Sequence, residues 1–133
     1  MAQRLSTHEV ATRKTQIIEQ AASLFKQFGY KATTMRMLAG ELGIEAPSLY
    51  HHISSKDEVL REICFAVADQ FNAHLLALQS KQLAPAHALE AIIRFHIFQL
   101  LHRHNDVYVG NRDWKHLKEP WLKKFMQLRR QYV

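Results

Sequence analysis

From Ile17 onward, apolar residues fall three and four positions apart along most of the chain. Ile17, Ile18, Ala21, Leu24, Phe25 and Phe28 form the first such stripe, which predicts a helix with one face turned to a core. Gly29 follows as a left-handed stop. Thr34 suits the N-cap of a short helix over "MRMLAGEL", in which Leu38 and Leu42 face inward and which Gly43 ends. Pro47 stands early in "EAPSLYHH", where a first helical turn tolerates its missing N–H, and Leu49 and Ile53 return to the core. Ser55-Lys56-Asp57-Glu58 combines an N-cap serine, first-turn acids and a Ser-x-x-Glu capping box. Val59, Ile63, Val67, Phe71, Leu75 and Leu78 then mark one face of a long helix.

The pattern breaks near "SKQLAP". Pro85 opens a helix to about residue 104 that is apolar on most of its circumference. "HNDVYVGNRDW" reads as irregular or short-helical. A last helix begins near Pro120 with Trp121, Leu122, Phe125, Met126 and Leu128. Val/Ile/Thr alternation bounded by turns is absent, so no strands are predicted. The expected class is all-α.

Thr34 to His52 is thus two short helices joined by a glycine turn, a helix-turn-helix. In that motif the second helix enters the major groove of DNA. Ala46, Pro47 and Ser48 are small enough to admit the bases, while Tyr50, His51, His52 and Lys56 can hydrogen-bond or meet phosphates. On this pattern alone, a plain helical hairpin stands level with a DNA reader.

Composition narrows the partners. The 133 residues allow one core with at most a small appended lobe, and the net charge of +6 favours a polyanion. The single cysteine, Cys64, excludes an intrachain disulfide and a Cys-rich zinc site, and its apolar setting marks a buried thiol. Neither a signal core nor a run of ~18 apolar residues occurs, so a cytoplasmic protein without a membrane partner is expected. His102 and His104 are two apart on a helix and cannot share an ion, so no metal and no cofactor are expected. Ser54, Ser55, His51, His52, Asp57 and Glu58 supply triad residue types, but consecutive positions point apart and no oxyanion hole is recognisable. An enzyme is not expected. Phe71, Phe95, Phe98, Trp114, Trp121 and Phe125 are either core or the lining of a cavity. His96 reads as a satisfied core histidine or a contact to a ligand carbonyl. Lys115, Lys118, Lys123, Lys124, Arg129 and Arg130 form a solvated face or meet ligand phosphates.

"IIEQAASLFKQFGYKATTM" followed by "RMLAGELGIEAPSLYHHISSKDEVLREI" resembles the N-terminal DNA-binding domain of TetR-family transcriptional repressors. The resemblance implies a three-helix DNA-binding domain over residues 1–54 and a helical ligand-binding body over 55–133, the latter incomplete relative to the family. It places Thr34 and Tyr50 at phosphate-contacting positions, Arg36, Ala46, Pro47 and Ser48 near bases, and His52 and Lys56 on the DNA backbone. Ala46 stands where a longer reader can occur and would offer a thymine only its methyl group. Glu45 is expected to cap the recognition helix. "NRDWKHLKEPWLKKFMQLRRQYV" is similar to a segment of acyl-CoA-responsive TetR-type regulators, with Asp113-Trp114-Lys115, Leu117, Arg129 and Tyr132 as counterparts.

The resemblance further implies a homodimer on a palindromic double-stranded operator, released by a small hydrophobic effector such as an acyl-CoA. Candidate effector contacts are Phe71, His96, Phe98, Trp114, Trp121, Phe125 and Arg129. The alternative is a helical DNA-binding protein with no effector. Family members usually continue for two more helices, so weak dimerisation of this chain is expected.

Overall fold

The computed structural model describes residues 7–132, with side chains described from Thr12 to Gln131. Seven α-helices follow one another: α1 (Thr7–Phe28), α2 (Met35–Leu42), α3 (Ala46–Tyr50), α4 (Lys56–Lys81), α5 (Pro85–His102), α6 (His104–Asp113) and α7 (Trp121–Tyr132). A single 3-10 turn, Trp114–His116, links the last two. No strand occurs among the described residues, as the 3.6-residue periodicity predicts.

Helices α1 to α3 close around Ile17, Ala21, Leu24, Phe25, Leu38, Leu49 and Ile53, all buried. Phe28 was expected on the same stripe but is 48% exposed. It is the last residue of α1, where Gly29 (φ +85°) turns the chain away. Thr33 is buried, and its hydroxyl satisfies the carbonyls of Gly29 at 2.8 Å and Leu24 at 3.3 Å. The stretch read as irregular or short-helical after α5 is a short helix, α6, whose Val107, Val109 and Gly110 are buried.

The long helix α4 belongs to both halves. Its first turns bury Val59, Leu60, Ile63 and Cys64 in the cluster that also holds Phe25 of α1, Val109 of α6 and Phe125 of α7. Burial pushes the Cys64 thiol up to about 12, with Asp113 adding to the shift. By contrast, α5 touches its neighbours on one side and leaves Leu89, Ile93, Ile97, Phe98, Leu100 and Leu101 exposed.

Two glycines three residues apart separate backbone from packing. Gly43 caps α2 in the left-handed region (φ 66°), its N–H reaching the carbonyls of Ala39 and Gly40. Gly40 lies within α2, with open space where a Cβ would stand. Gly43→Ala will therefore lower stability by about 1–2 kcal/mol, while Gly40→Ala will raise it by about 0.4–1 kcal/mol. Denaturant midpoints of the two variants check the opposite signs.

Candidate nucleic-acid interface and ligand cavity

The recognition helix is short, and its sequence decides which side faces out. Leu49 is fully buried and anchors α3, while Ala46, Pro47, Ser48 and Tyr50 are exposed, Tyr50 by 51%. Pro47 sits in the first turn. Glu45 occupies the N-cap position, but its side chain makes no capping bond, so the expected cap is made by backbone geometry alone. Arg36 and His51 are exposed beside this face. Thr34 is exposed too, with its hydroxyl accepting the Met37 N–H at 3.1 Å.

His52 is half-buried, and its Nδ1 is enclosed without a partner. Lys56 differs from a free surface cation. Its Nζ donates to the Tyr30 carbonyl at 2.8 Å and stands 4.3 Å from the centre of the Tyr30 ring. Partial burial lowers its pKa. Lys56 is thus a strut between α4 and the loop after α1.

The start of α4 also departs from the expected capping box. Ser55 Oγ accepts the Glu58 N–H at 3.1 Å, which is half of the box. The Glu58 carboxylate reaches one residue further back, accepting from the Ser54 N–H at 2.8 Å and from the Ser54 hydroxyl. Lys14 of α1 lies 3.4 Å away. Helix α4 is thereby fixed to α1 beside the recognition helix.

The second site is a cavity of about 340 Å³ in the body. Helix α4 contributes Val67, Ala68, Phe71 and Asn72; α5 contributes His96 and Leu100; α6 contributes Val107, Gly110 and Asn111; α7 contributes Phe125, Leu128 and Arg129. Its volume is at the small end of ligand sites, and its few polar groups among apolar walls match the usual make-up of one. His96 Nδ1 lies 2.8 Å from the Ile92 carbonyl. A carbonyl can only accept, so Nδ1 carries the proton. Asn72 donates to the Leu128 carbonyl at 3.3 Å.

Of the expected effector contacts, the structure brings Phe71, His96, Phe125 and Arg129 together. The other three lie elsewhere. Phe98 is on the open face of α5, 55% exposed. Trp121 packs edge-on to Phe65 and lies between the Arg61 and Lys124 cations, at 4.5 and 4.7 Å. Trp114 stands behind Phe125 and holds the Arg129 guanidinium at 4.7 Å. The Tyr132 side chain lies outside the described residues. Lys115, Lys118, Lys123, Lys124, Arg129 and Arg130 are all exposed. No group of His, Cys, Asp or Glu among the described residues could hold a metal, and no described helix is long and apolar enough to cross a membrane.

Sequence reasoning missed Asn72 and Asn111, although a polar amide on an otherwise apolar helical face was a readable sign. It also missed Arg112, which bonds to residues 86 and 87 positions away.

Residues 17–63, the segment carrying the recognition helix, match the pattern described as bacterial regulatory proteins, tetR family. The chain carries the N-terminal domain of the TetR family. It is 28% identical over 109 residues to the HTH-type transcriptional repressor KstR2 of Mycolicibacterium smegmatis, covering 82% of this chain and 53% of that protein. The structure of KstR2 of Mycobacterium tuberculosis superposes with a TM-score of 0.82 at 27% identity, over 90% of this chain and 61% of that one. AibR, solved in complex with isovaleryl coenzyme A and operator DNA, superposes with a TM-score of 0.76 at 26% identity, over 90% and 65%. The chain spans about half the length of the curated relatives it matches. The chain thus carries an outward-facing recognition helix and, between α4, α5, α6 and α7, a partly open apolar cavity.

Glu58 offers a pH test of the α1–α4 junction. The Ser54 hydroxyl, the Ser54 N–H and Lys14 hold its carboxyl below the ordinary glutamate range, against a smaller opposing effect of burial. A carboxyl lowered on folding contributes stability above its unfolded value and loses it as pH falls through the folded value. Glu58→Gln will therefore show less loss of thermal stability than the parent below about pH 5. Melting temperatures across an acid series measure the difference.

Proposed function

We propose that this chain is the DNA-binding and effector-sensing part of a transcriptional repressor that binds a palindromic operator as a homodimer and leaves it when a hydrophobic small molecule enters the body. The observation that carries the reading is the placement of α4. It begins at Lys56 beside the recognition helix, and Val67, Ala68, Phe71 and Asn72, three to four turns on, line the cavity. A ligand pressing on that wall acts on the same rigid helix that positions the DNA reader.

Ala46, Pro47 and Ser48 approach the bases, with Arg36 beside them. Thr34, Tyr50, His51 and His52 meet the backbone, and Lys56 joins them if DNA draws it from the Tyr30 carbonyl. The AibR complex with isovaleryl coenzyme A supports an acyl-CoA as effector, and about 340 Å³ suits an acyl group rather than a whole coenzyme. The nucleotide end would then lie outside, near Arg129. The exposed α5 face supplies apolar surface for association. Moving the population from 1:99 to 99:1 requires the effector to favour the released form by about 10⁴-fold.

The test begins with a duplex enriched from a random pool by the parent chain. It should be palindromic, with half-sites about 34–36 Å apart or a multiple of that. Arg36→Ala should weaken binding to it by about 1–3 kcal/mol and relax preference at one position per half-site. A panel of short acyl-CoAs should release it. No enrichment over scrambled DNA contradicts the DNA reading; enrichment without release contradicts the effector reading alone.

A further inference from the structure

Where α1 ends, its last carbonyls need partners from outside the helix. One partner comes from α6. Arg112 donates from Nη1 to the Lys26 carbonyl at 3.2 Å and from Nη2 to the Phe25 carbonyl. The same guanidinium grips Asp113 through Nε and Nη2, at 3.1 and 2.9 Å. Asp113 is only 4% exposed, so its charge depends on that pair. Cζ of Arg112 also stands 4.8 Å from the centre of the Tyr108 ring. Four of the five guanidinium N–H groups are thus committed to two helices in a fixed fork.

The position of Arg112 in α6 gives this fork its meaning. Gly110 and Asn111, the residues immediately before it, and Val107, just over one turn back, line the cavity. A shift of α6 caused by anything filling the cavity therefore moves the guanidinium relative to the end of α1. That end leads through Gly29 and Thr33 into α2 and the recognition helix. Phe25 O also accepts the Gly29 N–H at 2.8 Å, and Gly29 O accepts the Thr33 N–H at 3.2 Å, so these two amides report on the joint.

We infer that Arg112 is the positioning residue that ties the cavity wall to the DNA-binding unit, through a two-carbonyl grip on the C-terminal turn of α1. This coupling runs directly from α6 to α1, in addition to the path along α4. It rests on the effector reading above for its biological purpose, but not for its physical test.

The test is amide hydrogen exchange on the full 133-residue chain, which needs neither operator nor effector. Arg112→Lys keeps the charge opposite Asp113 but cannot span both carbonyls. It should speed exchange at Gly29 and Thr33 at least tenfold while Ile17 to Ala21 change less than twofold. Val107→Ala, which enlarges the cavity, should alter Gly29 exchange at least threefold in the parent and less than 1.5-fold beside Arg112→Lys. Asn111→Ala serves as a second wall variant should Val107→Ala unfold the chain. Three results would overturn the inference: Arg112→Lys behaving as the parent, exchange rising evenly along α1, or the wall variant acting equally with and without Arg112. Failure of every acyl-CoA to release DNA would count against the effector reading only, and the exchange cycle would still decide the tie.

Discussion

Helix α4 is held by different partners along its length, tightly at its start and loosely beyond, and the rest of the structure follows from that constraint. Val59, Leu60, Ile63 and Cys64 are sealed among α1, α6 and α7. Side chains of this kind stabilise by about 1.5–3 kcal/mol each when fully buried. Further along, Val67 and Phe71 are only half-buried, because the space opposite them is the cavity. The helix is therefore firmly held where it meets the DNA-binding unit and loosely packed where a ligand would enter. A rigid rod with one firm and one yielding end is what a mechanical switch requires.

Polar and directional contacts supplement the apolar packing around the firm end. Lys56 braces the Tyr30 carbonyl, the Asp57 carboxylate accepts the Lys118 N–H at 3.4 Å, and His116 stacks on Tyr30 with ring centres 5.5 Å apart. The first joins α4 to the loop after α1, and the other two tie the segment after α6 to α4 and to that loop. Apolar packing alone would hold these parts together but permit sliding, since it is non-directional. Hydrogen bonds to named carbonyls fix the register, and Arg112 is the most extensively bonded of these links.

Local signals made most of the fold legible. Helical periodicity, Gly29, Gly43, Pro47 and Ser55 located six of the seven helices, although α1 begins at Thr7, well before the Ile17 stripe, and Leu49 and Ile53 fell inward as their spacing required. Helix α6 was ambiguous because Gly110, Asn111 and Asp106 weaken its local preference; packing against α1 and α4 outweighs that preference. Aromatic content could not separate Phe71 and Phe125, which line the cavity, from Trp114 and Trp121, which lie against cations and do not line it. Those assignments depend on how α7 is rotated against α4. The Arg112 grip left no trace in sequence, because nothing local links positions 25 and 112.

The central claim is that the α3 face, rather than the basic face of α7, meets DNA. Cys64 is the chain's sole cysteine, and it is fully buried with its thiol pushed up to about 12, so an introduced surface cysteine can be labelled selectively. The most direct measurement attaches a DNA-cleaving iron chelate at Tyr50→Cys and, separately, at Lys124→Cys, and maps the cuts on the enriched duplex. The account predicts cuts centred in the major groove of each half-site from position 50 and none from position 124. Cuts from position 124 with none from position 50 would contradict it.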